Sequence, residues 1–225
     1  MEERSVALDG PSGAGKSTLA RSAAKHFGLI YVDTGALYRC VGLYTLRNGV
    51  TSKDEASVVS LLPKINIEMR YDNDGLQRMF LNGEDVTESI RMPDISAYAS
   101  DVSAMPQVRA FLLYMQREMA VKYNIIMDGR DIGTVILPNA GLKIFLTADP
   151  EVRAERRYLE LFNKNVKTTL EEVRTDMRVR DRNDSERAES PLLAADDAVM
   201  LVTTELSLDE SVSAVCELIE RRFSL

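Results

Sequence analysis

The stretch LDGPSGAGKST, residues 8–18, limits what this chain can fold into more than any other part of its sequence. The apolar run Ser5–Asp9 predicts a buried strand, and the helical pattern of Lys16–Phe27 follows, ended by a glycine. Between them, residues 10–17 match the P-loop template G-x-x-x-x-G-K-[ST], whose glycine-rich backbone aims several N–H groups at one phosphate. The sequence therefore predicts a phosphate site where a strand turns into a helix.

The polar side chains of this loop have separate predicted roles. Lys16 places a mobile charge against the β- and γ-phosphates of a nucleotide, and the helix that begins there adds its positive dipole end. Ser17 can offer its hydroxyl to Mg²⁺, which makes it the predicted metal ligand. The residues predicted to bind this nucleotide, which the resemblance described below implies to be ATP, are Gly10, Pro11, Ser12, Gly13, Ala14, Gly15, Lys16, Ser17 and Thr18.

The rest of the chain alternates short apolar runs with helical segments, which predicts an α/β fold with a largely parallel sheet. Capping boxes at residues 169–172 and 207–210 announce two of the later helices. Residues 65–83 depart from this strand–helix order, because apolar and polar residues alternate on both sides of a turn at residues 72–75. This pattern predicts an antiparallel hairpin inserted in the parallel core. The predicted strands after the first are residues 29–32, 124–128, 142–146 and 198–203, and a further helix is predicted at residues 36–47.

Composition limits the partners and the cellular location that can be expected for the protein. The net charge of −7 argues against a broad nucleic-acid-binding face. Two cysteines, Cys40 and Cys216, give neither a disulfide framework nor a metal-ligand spacing. No signal peptide is visible, and no stretch approaches the roughly 20 apolar residues of a membrane span. We predict a cytoplasmic monomer with small-molecule nucleotide partners and no nucleic-acid or membrane partner.

Three further motifs contain arginines that we expect to lie near the predicted phosphate site. They are DTGALYR at residues 33–39, DGRDIG at residues 128–133, and RDRNDSER at residues 180–187 followed by SPL. Because ligands gather at the carboxyl ends of parallel strands, the first two should face the P-loop. Guanine recognition is not indicated, since residues 163–165 lack the aspartate expected after an Asn-Lys pair.

Together, DGPSGAGKST, DTGALYR, DGRDIGTV and RDRNDSER…SPL resemble the bacterial cytidylate kinases, a family of nucleoside monophosphate kinases. The resemblance implies a P-loop nucleoside monophosphate kinase fold: a five-stranded parallel sheet flanked by helices, with a small antiparallel insert and a lid. We expect residues 1–62 and 103–225 to form the kinase core, with the lid at roughly residues 151–170. Residues 63–102 would be the inserted monophosphate-binding subdomain.

The resemblance also implies transfer of the γ-phosphoryl group of ATP to CMP or dCMP, in which the acceptor is an anionic phosphate oxygen and alignment matters more than a general base. The implied catalytic residues are Lys16, Arg130, Arg180 and Arg187. The implied CMP-binding residues are Thr34, Arg39, Ser100, Arg109, Arg130, Asp131, Arg180 and Asp184.

Among these, Asp131 would accept from the exocyclic amino group of cytosine and repel uracil. Asp184 could contact the ribose or pair with neighbouring arginines. Asp128 ends an apolar strand, where it could lie near Mg²⁺, orient Lys16 or hold a metal-bound water.

Two helices carry subsidiary predictions. Arg109 begins a helix whose predicted buried stripe is Val108, Phe111, Leu112, Met115 and Met119. The charged segment 151–167 is interpreted as a lid, from which Arg156 or Arg157 would approach ATP only in the closed form.

Two alternatives remain open at this point. One is a P-loop kinase for another small acceptor, such as UMP, AMP or shikimate, but Asp131 and the antiparallel insert suit cytosine better. The other is a non-catalytic ATP-binding switch, which would not need Arg39, Arg130, Arg180 and Arg187 to converge on a second phosphate.

Overall fold

The computed structural model describes residues 4–72 and 75–224. The predicted turn at residues 72–75 includes residues 73 and 74, which lie outside the described residues. The strands are β1 Ser5–Asp9, β2 Ile30–Asp33, β3 Ile67–Tyr71, β4 Gln77–Leu81, β5 Glu84–Asp85, β6 Ile125–Gly129, β7 Leu142–Thr147 and β8 Val199–Val202. The helices are α1 Lys16–Phe27, α2 Thr34–Arg47, α3 Glu55–Leu61, α4 Pro93–Ser103, α5 Pro106–Lys122, α6 Pro150–Asn163, α7 Leu170–Glu186 and α8 Leu208–Phe223.

Within the described ranges, five strands form a parallel sheet in the order β2-β6-β1-β7-β8. The P-loop strand β1 lies at the centre, where Val6, Ala7 and Leu8 have no exposed surface. Both faces of such a sheet must be covered, which explains why its inner strands are mainly apolar. The prediction of a five-stranded parallel sheet flanked by helices is confirmed.

The two faces of the sheet have separate apolar cores. On one face, Leu19 of α1 and Val215 of α8 are buried in a single cluster with Val6 of β1. On the other face, Ala7 of β1 clusters with Ile132, which opens a π-helical turn, Ile132–Ile136, that follows β6. This turn follows the DGRD motif, so packing against the sheet places that motif at the carboxyl end of the central strands.

The predicted antiparallel hairpin is confirmed as β3 and β4, which pair from Ile67 with Leu81 to Tyr71 with Gln77. The short strand β5 extends it into a small antiparallel sheet and was not predicted. Two side chains fasten this sheet to β2: the hydroxyl of Tyr71 donates to the carbonyl of Tyr31 (3.1 Å), and the amide oxygen of Gln77 accepts from the N–H of Asp33 (2.8 Å). The insert therefore holds the carboxyl end of β2 in place.

One prediction about α5 is wrong. Val108 and Leu112 are fully buried as expected, but Phe111 is 37% exposed. Gln116 of this helix is buried instead, with 1% of its surface exposed. The buried residues Val108, Leu112 and Gln116 are thus four positions apart, on one face of the helix.

In the described part of the chain, no helix has both the length and the apolar character that a membrane crossing requires.

Candidate active site

A recess of about 460 Å³ opens at the carboxyl ends of β1, β2 and β6. It is lined by Ser12, Gly13, Gly15, Lys16, Ser17 and Thr18 from the P-loop and by Thr34, Arg39, Ser100, Arg109, Arg130, Asp131, Arg180, Asp184 and Arg187 from the rest of the chain. The fold thus brings every predicted acceptor-site residue to the mouth of the P-loop. Gly10, Pro11 and Ala14, also predicted, lie within the loop itself but not on the wall of the recess.

The P-loop owes its shape to its glycines. Gly10, Gly13 and Gly15 have φ values of 149°, 73° and 93°, in a region that other residues rarely adopt. A side chain at Gly13 would also meet Met177 of α7, because a Cβ there would lie 2.7 Å from its methyl carbon. The loop can therefore curl closely against α6 and α7 and direct its N–H groups toward an anion.

Lys16 is held by its own loop. Its ammonium donates to the carbonyls of Gly10 and Pro11, both at 2.7 Å, and only 7% of the residue is exposed. Burial, and after it the charge of Arg130, lowers the pKa of Lys16 well below its usual range. A phosphate at this position would favour the charged ammonium, since opposite charges raise the pKa of a lysine.

Asp128, at the end of β6, faces the P-loop serine. The hydroxyl of Ser17 donates to Asp128 Oδ2 (2.7 Å), and the hydroxyl of Tyr31 donates to Asp128 Oδ1 (3.2 Å). Burial and the nearby charge of Asp33 raise the pKa of Asp128 to about 6, although Lys16 opposes the shift. A hydroxyl and a carboxylate therefore lie side by side next to the phosphate loop.

The acceptor side of the recess is built from arginines, four of which are paired with carboxylates. Arg39 pairs with Asp33 (2.6 Å) and Arg130 with Asp184 (2.7 Å). Arg109 and Arg187 both pair with Asp131, the latter at 3.3 Å. Burial acts to raise the pKa of Asp184, but Arg130 and Arg180 outweigh it and the net shift is downward. Each guanidinium is thus held in a fixed direction before any anion arrives.

Arg180 differs from those four. It forms no ion pair in the described part of the chain. Within the same part, its Nε is buried without a hydrogen-bond partner, a feature that it shares with Arg39. Burial, and then the charge of Arg130, lowers the pKa of Arg180 to about 10. A buried donor without a partner next to a second cation is the arrangement that an incoming anion would satisfy.

Two hydroxyls complete the acceptor side. Thr34 donates to the carbonyl of Asp128 (2.8 Å), which links the start of α2 to the end of β6. Among the described residues, the buried Oγ of Ser100 on α4 has no hydrogen-bond partner, and Ser100 lies on the wall of the recess. Helix α4 thus contributes an unsatisfied polar atom to the recess.

The segment after α7 explains why the last motif ends in SPL. Arg187 Nε donates to the carbonyl of Ser190 (2.6 Å), and the N–H of Leu192 donates to the carbonyl of Asp184 (2.7 Å). Ser190 has a φ of 52° at the bend. The chain folds back on the end of α7 and holds the side chain of Arg187 toward Asp131.

Some lining residues were not predicted as site residues. Arg21 of α1 and Arg91 of the insert both face the recess, and neither belongs to a motif that sequence reasoning could isolate. Asp33 could have been found, because a charged residue that directly follows a predicted apolar strand lies at the ligand-binding edge of the sheet. Of the two lid arginines, Arg157 lines the recess, whereas Arg156 donates to the carbonyl of Thr203 (2.7 Å) and does not.

A parallel sheet with this loop after its central strand, facing a second group of cations, defines a P-loop nucleotide-binding protein of the kinase type. Comparison with known proteins refines this class. The family model described as "Cytidylate kinase" matches residues 6–221.

Curated relatives agree with the family match. A cytidylate kinase of Caldicellulosiruptor bescii is 47% identical over 218 residues, covering 97% of this chain and 96% of the relative. One from Lactiplantibacillus plantarum is 46% identical over 219 residues, covering 97% and 96% respectively. The chain belongs to the cytidylate kinase family.

A solved structure shares the fold at a greater distance. An uncharacterised protein from Eubacterium ventriosum superposes with a TM-score of 0.52 at 10% identity, covering 96% of this chain and 98% of the other. At this identity the likeness concerns the fold alone.

Proposed function

We propose that this protein transfers the γ-phosphoryl group of ATP to CMP or dCMP, giving CDP or dCDP in pyrimidine nucleotide metabolism. The observation that carries the proposal is that two groups of cationic and phosphate-loop residues line one recess in a chain of the cytidylate kinase family. One group is the P-loop with Lys16, and the other is the set of arginines with Arg39 and Arg130.

The reaction needs position and counter-charge more than a proton acceptor, because the attacking phosphate oxygen is already anionic at neutral pH. The only histidine of the chain, His26, is exposed on α1, away from the lining residues. Lys16 would hold the transferring phosphoryl group from the ATP side. Arg39 and Arg130 would hold the acceptor phosphate, and Arg180, with its unsatisfied donor, would cancel charge between the two.

The site fits Mg²⁺, which accompanies ATP in P-loop proteins. Mg²⁺ prefers oxygen ligands and takes one or two protein groups plus substrate phosphates and water. The described residues contain no cluster of three or more metal-ligating His, Cys, Asp or Glu side chains. They do place the hydroxyl of Ser17 beside the carboxylate of Asp128, and these two residues would hold the ion directly or through water. The ion would supply positive charge to the ATP phosphates.

Base recognition rests on Asp131. Its carboxylate is 3% exposed and is held between Arg109 and Arg187 at the wall of the recess. A fixed carboxylate accepts from the amino group of cytosine and repels the carbonyl that uracil presents in its place. The unsatisfied Oγ of Ser100 would read a further polar group of the base, and Asp184 would contact the ribose.

Residues 63–102 would act as the acceptor-binding insert and α6 with the start of α7 as the lid. Arg157 is the lid residue that faces the recess, where it pairs with Glu160 (2.7 Å). Closure of the lid would exclude water and bring Arg157 to the ATP phosphates.

A coupled assay of ADP release, with ATP and each of CMP, dCMP, UMP and AMP, tests the proposal. Turnover with CMP or dCMP well above that with UMP and AMP is expected. ADP release without an acceptor serves as the background. Failure to release ADP with either cytidine nucleotide would overturn the proposal, and preference for UMP or AMP would identify a kinase for another nucleotide.

A further inference from the structure

Asp9 is a buried carboxylate that the proposed reaction does not use. It ends β1 directly before the P-loop, and 5% of its surface is exposed. Asp9 Oδ1 accepts from the N–H of Ile132 (2.8 Å), and Asp9 Oδ2 accepts from the N–H of Gly133 (2.7 Å). One side chain at the base of the P-loop therefore holds two consecutive amides of the segment that follows Asp131.

These two amides need an outside acceptor. Ile132 and Gly133 begin the π-helical turn Ile132–Ile136, and the first N–H groups of any helix lack a partner within it. Aspartate is among the residues best suited to satisfy such groups from the N-cap position. Here that position belongs to Asp131, yet the side chain of Asp131 makes no capping hydrogen bond.

Asp131 does not cap the turn because its carboxylate is used elsewhere. Both of its oxygens are engaged by guanidinium groups, one by Arg109 and the other by Arg187, on the side that faces the recess. Asp9 supplies from another strand the cap that Asp131 would otherwise supply itself. Without Asp9, two buried N–H groups would compete with the two arginines for the same carboxylate.

Asp9 packs close to Gly133. A Cβ on Gly133 would lie at ordinary contact distance from Asp9 Oδ2, 3.4 Å, and closer to the Cδ of Lys143, 3.1 Å. Burial raises the pKa of Asp9 to about 6, against the pull of the two amide hydrogen bonds.

We propose that Asp9 is a positioning residue that caps the turn after Asp131, so that the Asp131 carboxylate stays with Arg109 and Arg187, which hold it at the wall of the recess toward the acceptor base. The inference rests on the proposed function. Since Asp9 also precedes the P-loop, it fixes the distance between the triphosphate site and the base-reading carboxylate.

The experiment compares wild-type protein with Asp9→Asn and Asp9→Ala. The asparagine keeps the shape but offers one acceptor oxygen to two N–H groups. We expect the KM for CMP to rise about tenfold in Asp9→Asn and further in Asp9→Ala, corresponding to the loss of one and then two buried hydrogen bonds. The preference for CMP over UMP in kcat/KM should fall by a similar factor, while the affinity for ATP changes by less than about twofold.

A second measurement, which does not depend on activity, reports on the hydrogen bonds of Asp9 directly. Amide hydrogen exchange of Ile132 and Gly133, measured by NMR, should quicken in both variants, because those N–H groups lose their acceptor.

Val215→Ala is the matched control for lost stability. Val215 is fully buried on α8, against the opposite face of the sheet from Ile132. This variant should lower the melting temperature and leave the CMP-to-UMP ratio unchanged.

The outcomes separate the inference from the function on which it rests. An inactive wild-type protein would overturn the proposed function. Active wild-type protein with an unchanged CMP-to-UMP ratio in Asp9→Asn would overturn only the role of Asp9. Equal losses for ATP and CMP would also overturn it, because they would show that Asp9 merely supports the P-loop.

Discussion

The two sides of the recess that we propose to bind phosphate are built in different ways. The triphosphate side is one continuous segment, residues 10–18, and its lysine is held by carbonyls of the same segment. The acceptor side is assembled from distant elements: Arg39 lies on α2, Arg109 on α5, Arg130 after β6, and Arg187 after α7. The first is a local structure, and the second exists only in the folded chain.

This difference follows from the kind of charge that each side uses. Backbone N–H groups and a helix end carry partial charges that need no counter-ion, so a short loop can present them alone. Full positive charges gathered at one place repel one another, and each paired arginine here has a carboxylate that holds it in position. Arg180 is the exception, and it is the residue that we propose to act between the two nucleotides.

The largest effect on activity is expected from removing the cation of the triphosphate side, Lys16. Lys16→Met should lower kcat by roughly a thousandfold, since a single preorganised charge at a transition state contributes a factor of this order. Steady-state kinetics with ATP and CMP measures it. CMP binding, followed by calorimetry without ATP, should stay near the wild-type value, and its loss would show that the two sides are not built independently.

Two acceptor-side arginines form a matched pair that tests the role of the carboxylate partners. Arg130→Met leaves Asp184 buried without its closest partner and should destabilise the protein by about 3 kcal/mol. Arg180→Met removes a cation that has no ion pair and should change the free energy of unfolding by less than about 1 kcal/mol. Urea denaturation of both variants measures the difference.

Both of these variants should lose roughly a hundredfold in kcat, because each removes charge from the transferring phosphoryl group. The proposed difference between the ion-paired Arg130 and the unpaired Arg180 would be contradicted if Arg180→Met is the less stable of the two variants. It would also be contradicted if Arg180→Met retains full activity.

Asp131→Asn should change selectivity more than rate. An amide can donate to the carbonyl of uracil as well as accept from cytosine, so the preference for CMP over UMP should fall by roughly ten- to a hundredfold, equivalent to about 1–3 kcal/mol. The ratio of kcat/KM for the two acceptors measures it. ATP binding is the internal control, and an equal loss for both bases would contradict the assigned role.

The smallest effect concerns Asp9, which joins the two sides. Its folded pKa of about 6 lies above the usual value of 3.8, so the folded state binds the proton more tightly than the unfolded state. Stability from this group is therefore greatest at low pH and declines as pH rises from about 4 to 6, by on the order of 1–3 kcal/mol. The free energy of unfolding of wild-type protein relative to Asp9→Asn should be larger at pH 4.5 than at pH 7.5, as measured by urea denaturation. A difference that does not vary with pH would contradict this.

Sequence reasoning located the elements that carry the chemistry because their signals are local. The helix of the P-loop was predicted at Lys16–Phe27 and is observed there, and both capping boxes begin helices as expected. The strand β5, the helix α4 and the π-helical turn after Asp131 were not foreseen. Their sequences carry weak periodicity, and contacts with α2, β4 and the sheet decide their structure.

The sequence by itself determined the phosphate loop, the parallel order of strand and helix around it, and the list of arginines that could hold a second phosphate. Glycine placement, apolar periodicity and cap residues act over a few positions, so they can be interpreted without the fold. Only the tertiary structure decided which carboxylate faces which arginine, that Arg180 has no carboxylate partner among the described residues, and that Asp9 caps the turn after Asp131. These relations join residues more than a hundred positions apart in some cases, as with Asp9 and Ile132, and burial and charge select them once the chain has packed.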